Sequence, residues 1–353
     1  MTHQLTIEPL GASIDVEDGQ TILDACLRAG IYLPYACGHG LCGTCKVEVL
    51  EGEVDHADAS PFALMDFERA DGKTLACSAK MLCDVTIEAD IEEEPDQRRI
   101  AVQDFNASVA GLENFTHDVK GVRLALGGSK IDFQAGQYVN LTLPGVHGTR
   151  AFSISNPPSE DGYVDLQIRL VPGGQGTTYI HQSLKLGDAV AMSGPYGHFF
   201  VRKSKGGPLL FMAGGTGLSS PRSMILELLA EGYAEPITLI HGVRTRADLY
   251  GVEEFEALVA KHPNFRYVPA LSSEPEDSGW TGARGFVHDV AWELYDGLFE
   301  GSSAYLCGPP PMIDACVKSL MRGRLFEKFI FTERFLTAKD GNEKPKSPLF
   351  KKF

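Results

Sequence analysis

Cys37, Cys42 and Cys45 stand in the order C-x4-C-x2-C, and 31 residues separate Cys45 from a fourth cysteine, Cys77. Three thiols on one short loop with a distant fourth is the ligand spacing of a plant-type [2Fe–2S] cluster. Structural zinc sites usually pair two short C-x2–4-C hooks instead, and cysteines buried for packing alone need no fixed spacing. The residues between the ligands are glycines or small residues for the most part (Gly38, Gly40, Gly43, Thr44), so backbone amides can approach the sulfurs without a Cβ in the way. A chain committed to such a loop moves single electrons, and its remaining residues have to supply and receive them.

At 353 residues the chain exceeds one ordinary domain, and two to three are expected. No run of about 18 apolar residues is present, which excludes a transmembrane helix. The opening residues lack the basic and apolar regions of a signal peptide and alternate like a strand, so the expectation is a cytoplasmic chain with reduced thiols. The net charge of −15 is unevenly spread: residues 1–96 carry 20 acidic and 5 basic side chains, and residues 97–353 carry 27 of each. Nucleic acid is excluded as a partner by such a surface. Two readings of the acidic excess stand: steering toward a basic docking face on a redox partner, or solubility.

Charge and texture divide the chain into parts of 1–96, 100–204, 205–337 and a loose tail, 338–353. In the first, Leu5–Ile7 and Ser13–Val16 read as a hairpin, Gln20–Gly30 as a helix stopped by glycine, and Lys46–Leu50 and Val85–Ala89 as strands. That is the pattern of a β-grasp ferredoxin. The second lacks a long helix and repeats short alternating runs, Tyr138–Leu143 and Tyr163–Leu170 among them, which predicts an antiparallel β-barrel. The third opens on a continuous apolar run, Pro208–Ala213, and then alternates helices (Arg222–Gly232, Glu253–Lys261, Val287–Phe299) with strands (Ile237–His241, Phe265–Leu271, Ser303–Cys307). This predicts a parallel α/β sheet. The expected fold class is a multidomain α+β chain: β-grasp ferredoxin, antiparallel barrel, parallel α/β domain.

Four stretches carry chemistry beyond the cysteine loop. Alternation places Arg150, Phe152 and Ile154 on one strand face and Ala151, Ser153 and Ser155 on the other. A flavin needs a cation for its pyrophosphate, an aromatic surface for its ring and a hydrogen-bonding group near N5, although an Arg–aromatic–Ser strand is common and says little alone. Arg169 to Thr178 form a glycine-rich turn followed by hydroxyls and a helix, Tyr179–Leu184, as suits a phosphate at a helix start. Gly214-Gly215-Thr216-Gly217 follow the buried strand directly and open the next helix, in the manner of a dinucleotide cradle without its G-x-G-x-x-G string. Cys307-Gly308-Pro309-Pro310-Pro311-Met312 lie at the carboxyl end of another strand, where ligands of open α/β sheets sit.

With all four in order, the chain resembles the ferredoxin-NADP reductase superfamily, in the subgroup with an N-terminal ferredoxin domain. Ala-Ser-Pro-Phe-Ala-Leu-Met-Asp at 59–66 and Leu-Cys-Gly-Pro-Pro-Pro-Met-Ile-Asp-Ala at 306–315 are most similar to reductase components of multicomponent phenol hydroxylases, with relatives serving toluene and methane monooxygenases. The resemblance implies FAD held by Arg150, Phe152 and Ser153, with Ser153 near N5, and by Arg169, Val171, Gly176, Thr177 and Thr178. It implies the nicotinamide nucleotide on Gly214, Gly215, Thr216, Gly217, Cys307, Gly308, Pro309 and Met312. Glu333 and Phe335 fall at the family's C-terminal carboxylate and flavin-side aromatic, which with Ser153 and Cys307 completes a catalytic set. Cys77, in Thr-Leu-Ala-Cys, matches the final cluster ligand ahead of its competitor Cys83; Cys26 and Cys316 read as buried small residues.

The implied route runs from NADH to FAD to the cluster to a diiron oxygenase docking on the acidic domain. Arg244 and Arg246 suit a 2′-phosphate and hence NADPH, and Asp248 suits a 2′-hydroxyl; the resemblance favours NADH. Other readings are a reductase for a Rieske dioxygenase or for a toluene- or methane-type monooxygenase, and a redox carrier without turnover.

Overall fold

The computed structural model describes residues 2–335 apart from 37, 39, 92 and 93. The tail expected over 338–353 lies outside the described residues, as does Cys37. Two compact units divide the chain: one of residues up to Gln103 together with Gly194–His198, the other of Asp104–Ser193 and Phe199–Phe335.

The first unit begins with a hairpin of β1 (Thr2–Glu8) and β2 (Ala12–Glu17), followed by α1 (Ile22–Arg28). Thr21 caps α1, its hydroxyl accepting from the Asp24 amide at 3.3 Å, so the helix starts two residues later than its periodicity suggests. Ile22, Leu23, Ala25, Cys26 and Leu27 are its buried residues. β3 (Lys46–Glu51), β4 (Val54–Asp55), α2 (Asp66–Ala70), β5 (Lys73–Leu75), β6 (Lys80–Met81) and β7 (Val85–Glu88) complete the unit. The main sheet runs β2-β1-β7-β3-β5, with β1 and β7 parallel and the other pairs antiparallel. A mixed sheet grasping one helix is the β-grasp expected from the sequence. The long connection between α1 and β3 is the cysteine loop.

The second unit holds two six-stranded sheets. In the antiparallel one, β8 (Gln103–Asn114), β9 (Val119–Ala125), β10 (Tyr138–Thr142), β11 (Thr149–Ser153), β12 (Tyr163–Arg169) and β13 (Ala189–Tyr196) take the order β11-β10-β13-β8-β9-β12. A bridge between Ile154 and Leu166 brings the two edges together, so the sheet is a nearly closed barrel. Its interior is filled by alternating side chains such as Val139, Leu141, Val164, Leu166 and Ile168. One helix, α3 (Gln175–Gln182), belongs to it. It starts four residues before the Tyr179 expected from periodicity, because Gly174 serves as its N-cap and the helix takes in Gln175–Thr178.

The parallel sheet is β17-β16-β15-β14-β18-β19, built from β14 (Leu209–Gly214), β15 (Ile237–Val243), β16 (Phe265–Leu271), β17 (Ala283–Arg284), β18 (Ser303–Gly308) and β19 (Ile330–Arg334). Its helices are α4 (Ser219–Ala230), α5 (Val252–Lys261), α6 (Val287–Leu294) and α7 (Pro310–Arg322). Every residue of β18 is buried, as is β14 up to Ala213, as befits central strands covered on both faces. Strand β19 and helix α7 escaped the sequence reading. Three consecutive prolines disguise the start of α7, yet Pro310 sits in its first turn, where no backbone N–H is needed. α6 ends at Leu294 rather than Phe299, which packs as a buried side chain after the helix.

Candidate functional site

Two constellations emerge, one in each unit. In the first, Cys45 is buried, Cys77 is half-buried and Cys42 is exposed. Cys45 donates its thiol proton to Cys77, which raises the Cys45 pKa and holds Cys77 down to about 7. The Gly40 amide donates to Cys77 Sγ at 3.2 Å, and Cys42 Sγ contacts Thr44 Oγ1 at 3.3 Å. Gly40 has φ +74°, and a Cβ there would stand 2.6 Å from Ser78 Oγ, so glycine alone lets this amide reach sulfur. Two soft donors on one loop with a third, Cys77, brought to them, and an amide already aimed at its sulfur, fit an iron–sulfur cluster; Cys37 lies outside the described residues. Cys83 is placed apart from this group, its Sγ accepting from the Glu53 amide at 3.2 Å.

The second constellation lies where the barrel meets the carboxyl ends of the parallel sheet. After β14 the chain winds outward through β15, β16 and β17, then returns to the other side of β14 as β18. The reversal leaves a crevice between the loops after β14 and β18, the position at which open α/β sheets bind ligands. Gly217 packs directly on the β18 loop: a Cβ there would stand 2.1 Å from the Cys307 carbonyl oxygen. At Gly214 a Cβ would meet Met312 Sδ at 2.5 Å and Pro309 Cδ at 3.2 Å. The two glycine-containing loops read from the sequence are thus one cradle, in which Gly214, Gly217, Cys307, Gly308, Pro309 and Met312 touch or adjoin.

Cys307 pairs with Glu333 across β18 and β19. The Glu333 carboxylate accepts from Ser220 Oγ at 2.6 Å, Ser153 Oγ at 3.3 Å and Cys307 Sγ at 3.4 Å. Although Glu333 as a residue is only half-buried, its carboxyl group is enclosed, and that desolvation pushes its pKa up against the three donors. Burial, followed by the charge of Glu333, raises the Cys307 thiol well above its usual range, so it stays a neutral donor. Ser153 comes from the barrel strand β11, Ser220 from α4, and Cys307 and Glu333 from the sheet. Phe335 closes the strand end through its amide to the Gly308 carbonyl at 3.0 Å.

Along the barrel, Phe152 packs against the barrel core and Arg150 Nη1 donates to the carbonyls of His147 and Thr149. Gly176 brings the first turn of α3 against Arg150, where a Cβ would stand 2.8 Å from its Cγ. Thr177 Oγ1 accepts from the Val171 amide at 3.1 Å, tying the glycine-rich turn to the helix start. An arginine beside a helix N-terminus, with an aromatic and a hydroxyl along the same strand, fits a flavin dinucleotide. Arg169 differs from expectation in being already engaged: its Nε donates to Asp118 at 2.8 Å. Asp248, one candidate for a ribose hydroxyl, has Oδ2 taken by the amide and hydroxyl of Thr245, both at 2.9 Å. Arg244 and Arg246 are exposed.

Sequence reasoning missed the groups that fasten barrel to sheet. Gln167 Oε1 on β12 accepts from Tyr250 Oη at 3.0 Å and from Ser219 Oγ at 3.3 Å. Tyr250 and His241 also reach the Gly215 carbonyl, at 3.3 and 3.2 Å. Burial holds His241 neutral, its pKa lowered to about 4. Arg222 on α4 forms a two-pronged ion pair with Glu254 (2.8 and 2.6 Å) and donates to the Ser155 carbonyl at 2.7 Å. Ser219 and Ser220 had one signal, hydroxyls directly after a glycine-rich loop; Gln167, Tyr250 and Arg222 had none.

Family models match three stretches of the chain. A 2Fe-2S iron–sulfur cluster binding domain covers residues 5–82, an oxidoreductase FAD-binding domain 106–201, and an oxidoreductase NAD-binding domain 211–318. The chain is 57% identical over 353 residues, the whole of both chains, to the phenol 2-monooxygenase reductase component DmpP of Pseudomonas sp. (strain CF600). It is 53% identical over 352 residues to the phenol hydroxylase P5 protein of Acinetobacter pittii (strain PHEA-2), covering 99% of each. Among solved structures, the Amycolatopsis cytochrome P450 reductase GcoB superposes with a TM-score of 0.87 at 37% identity, over 95% of this chain and 99% of that one. The ferredoxin reductase of a carbazole 1,9a-dioxygenase superposes with a TM-score of 0.80 at 29% identity, with the same coverage. The chain belongs to the iron–sulfur flavoprotein reductases of the ferredoxin-NADP reductase superfamily that serve multicomponent oxygenases. It is an oxidoreductase that uses NADH, FAD and a [2Fe–2S] cluster. No helix among the described residues is long and apolar enough to cross a membrane.

Proposed function

We propose that this chain is the reductase component of a phenol-hydroxylating diiron oxygenase of the cytoplasm, with parts at 1–96, 100–204 and 205–337 for cluster, flavin and nucleotide. The full-length identity of 57% to a phenol 2-monooxygenase reductase component supports the client and substrate class. The observation that carries the mechanism is the convergence of Ser153, Ser220 and Cys307 on one enclosed carboxylate, Glu333.

When bound, NADH supplies two electrons as hydride, and FAD and the cluster pass them on singly. The residues provide position and shelter. Arg150, Arg169, Val171, Gly176, Thr177 and Thr178 would hold the flavin's ribityl and pyrophosphate, and Phe152 and Phe335 would offer aromatic surface to its ring. Gly214, Gly215, Thr216 and Gly217 with Gly308, Pro309 and Met312 cradle the nicotinamide nucleotide. Ser153, Cys307 and Glu333 would form the catalytic set, Ser153 and Cys307 by contact with the bound groups and Glu333 by positioning them. Ser153 would present a hydroxyl to the flavin, Cys307 would give the nicotinamide a neutral, enclosed wall, and Glu333 orients both donors. Cys37, Cys42, Cys45 and Cys77 hold the cluster, with the Gly40 amide tuning its potential through sulfur. The acidic domain, with 20 acidic against 5 basic side chains, docks on the oxygenase.

Stopped-flow mixing with NADH tests the electron path: flavin absorbance bleaches first, cluster absorbance second. Steady-state assays with a phenol-hydroxylase oxygenase then show phenol-dependent NADH oxidation. A chain that NADH does not bleach is no reductase.

A further inference from the structure

Twelve large apolar side chains stand exposed among the described residues, and three of them fall within six positions: Phe62 (51% exposed), Met65 (49%) and Phe67 (63%). Their segment has a second side. Ala59, Ala63 and Leu64 are buried, the Ser60 amide donates to the Gly40 carbonyl at 3.0 Å, and the Ala63 carbonyl crowds Gly43, where a Cβ would stand 3.1 Å away. Arg69 fastens the segment from behind, its guanidinium donating to the Ala59 carbonyl at 3.1 Å. The stretch therefore rests on the cysteine loop with its inner face and turns two phenylalanines and a methionine outward. Cys42, itself exposed, belongs to the same loop.

We infer that Phe62, Met65 and Phe67 form the apolar centre of the surface through which electrons leave, and that its occupant is the oxygenase. This rests on the function proposed above and adds the place and chemistry of contact. Exposed aromatic and methionine side chains beside one another are the composition of interface centres rather than of ordinary surface. Charge selects the occupant. Asp55, Asp58, Asp66 and Asp71, near the apolar residues in sequence, are exposed, whereas Glu68 is paired with Lys46 at 2.5 Å and Arg69 is turned inward. An apolar recess rimmed by lysine and arginine complements this patch. A second copy would set acid against acid, and residues 97–353, with 27 charges of each sign, offer no basic excess.

The test uses the full chain with cluster and flavin loaded, and the oxygenase of the phenol 2-monooxygenase system to which the Pseudomonas relative belongs. A Phe62→Ser, Met65→Ser, Phe67→Ser variant should bleach with NADH and reduce ferricyanide like the parent, while its KM for the oxygenase rises at least roughly tenfold. An Asp58→Asn, Asp66→Asn variant should raise that KM less and flatten its dependence on salt. If the triple variant drives phenol hydroxylation with an unchanged KM, the docking inference is wrong and the reductase function stands. Self-association of the parent that the triple variant abolishes would also overturn it, by assigning the patch to a dimer. A parent that bleaches with NADH yet drives no hydroxylation sinks the proposed function, and this docking with it.

Discussion

Cys42 stands at the surface of its loop, whereas Cys307 is sealed at the end of a central strand. The contrast extends to everything around them. The cluster loop is held mostly by backbone: the Gly40 amide to Cys77, the Ser60 amide to the Gly40 carbonyl. The crevice is held by side chains drawn from β11, β12, β18, β19, α4 and the segment before α5. A centre that must hand electrons to another protein is built near the surface on a short local frame. A centre that must pass hydride without losing it to water is built from distant pieces and closed over. The two regions should therefore fail differently when disturbed.

The largest expected effect is at the surface centre. Cys42→Ser should cut one-electron reduction of cytochrome c by at least about 100-fold, beyond the ~10–100-fold typical of losing an outer partner of a metal site. NADH should still bleach the flavin of that variant in a stopped-flow trace. If cytochrome reduction persists, electrons leave without passing the cluster and the contrast collapses.

Next come the ties that close the crevice. Arg222→Ala removes a largely buried cation from Glu254 and from the Ser155 carbonyl, and should destabilise by ~2–4 kcal/mol in denaturant titrations. Lys203→Ala, which breaks surface pairs with Glu231 and Glu227, should cost under ~1 kcal/mol. Comparable losses would mean that the seam between barrel and sheet carries no special weight.

Two glycines sharpen the comparison further. Gly217→Ala drives a Cβ into the Cys307 carbonyl, a backbone atom with little room to yield, and should cost ~1–3 kcal/mol and raise the KM for NADH. Gly40→Ala meets the movable Ser78 hydroxyl and a left-handed backbone, costing about 1–2 kcal/mol. Its distinctive mark should be a shifted cluster potential in a redox titration with the KM for NADH unchanged.

The smallest effects are those of pH, and they belong to the crevice. Glu333 binds its proton more tightly folded than unfolded. Its contribution is full below its ordinary value of 4.5 and is lost as pH rises through the raised folded value. Glu333→Gln should thus gain in Tm relative to the parent as pH rises above 4.5. His241 has the opposite sign: its folded value of about 4 lies below the ordinary 6.5, so stability is full above 6.5 and falls as pH drops toward 4. His241→Asn should flatten that acid limb in a Tm-against-pH series.

The different construction of the two regions also decides how much of each is legible in the amino-acid sequence. The proposed cluster ligands announce themselves because three of them share one loop, and covalent spacing survives in a string of letters. The barrel and the parallel sheet are legible from alternation and continuous apolar runs. Glycine loops after strands mark the cradle, and resemblance places Ser153, Cys307 and Glu333. Nothing in sequence order, however, brings Gln167 to Tyr250 or Arg222 to Ser155, because those pairs exist only once two sheets have met. Strand β19 is not legible because its five residues, Ile330–Arg334, end in charged ones, which do not look like a buried strand.

The placement of β19 has a consequence for how the molecule is made. A ribosome delivers the β-grasp residues first and the barrel's last strand, β13, by residue 196, while Glu333 emerges well over a hundred residues later. Elements fold as they become available, so Ser153 and Ser220 are in place before the carboxylate that joins them. The growing chain can acquire its electron outlet and most of its flavin cup while the hydride crevice still lacks a wall. Among the described elements, β19 is then the one whose arrival completes the crevice.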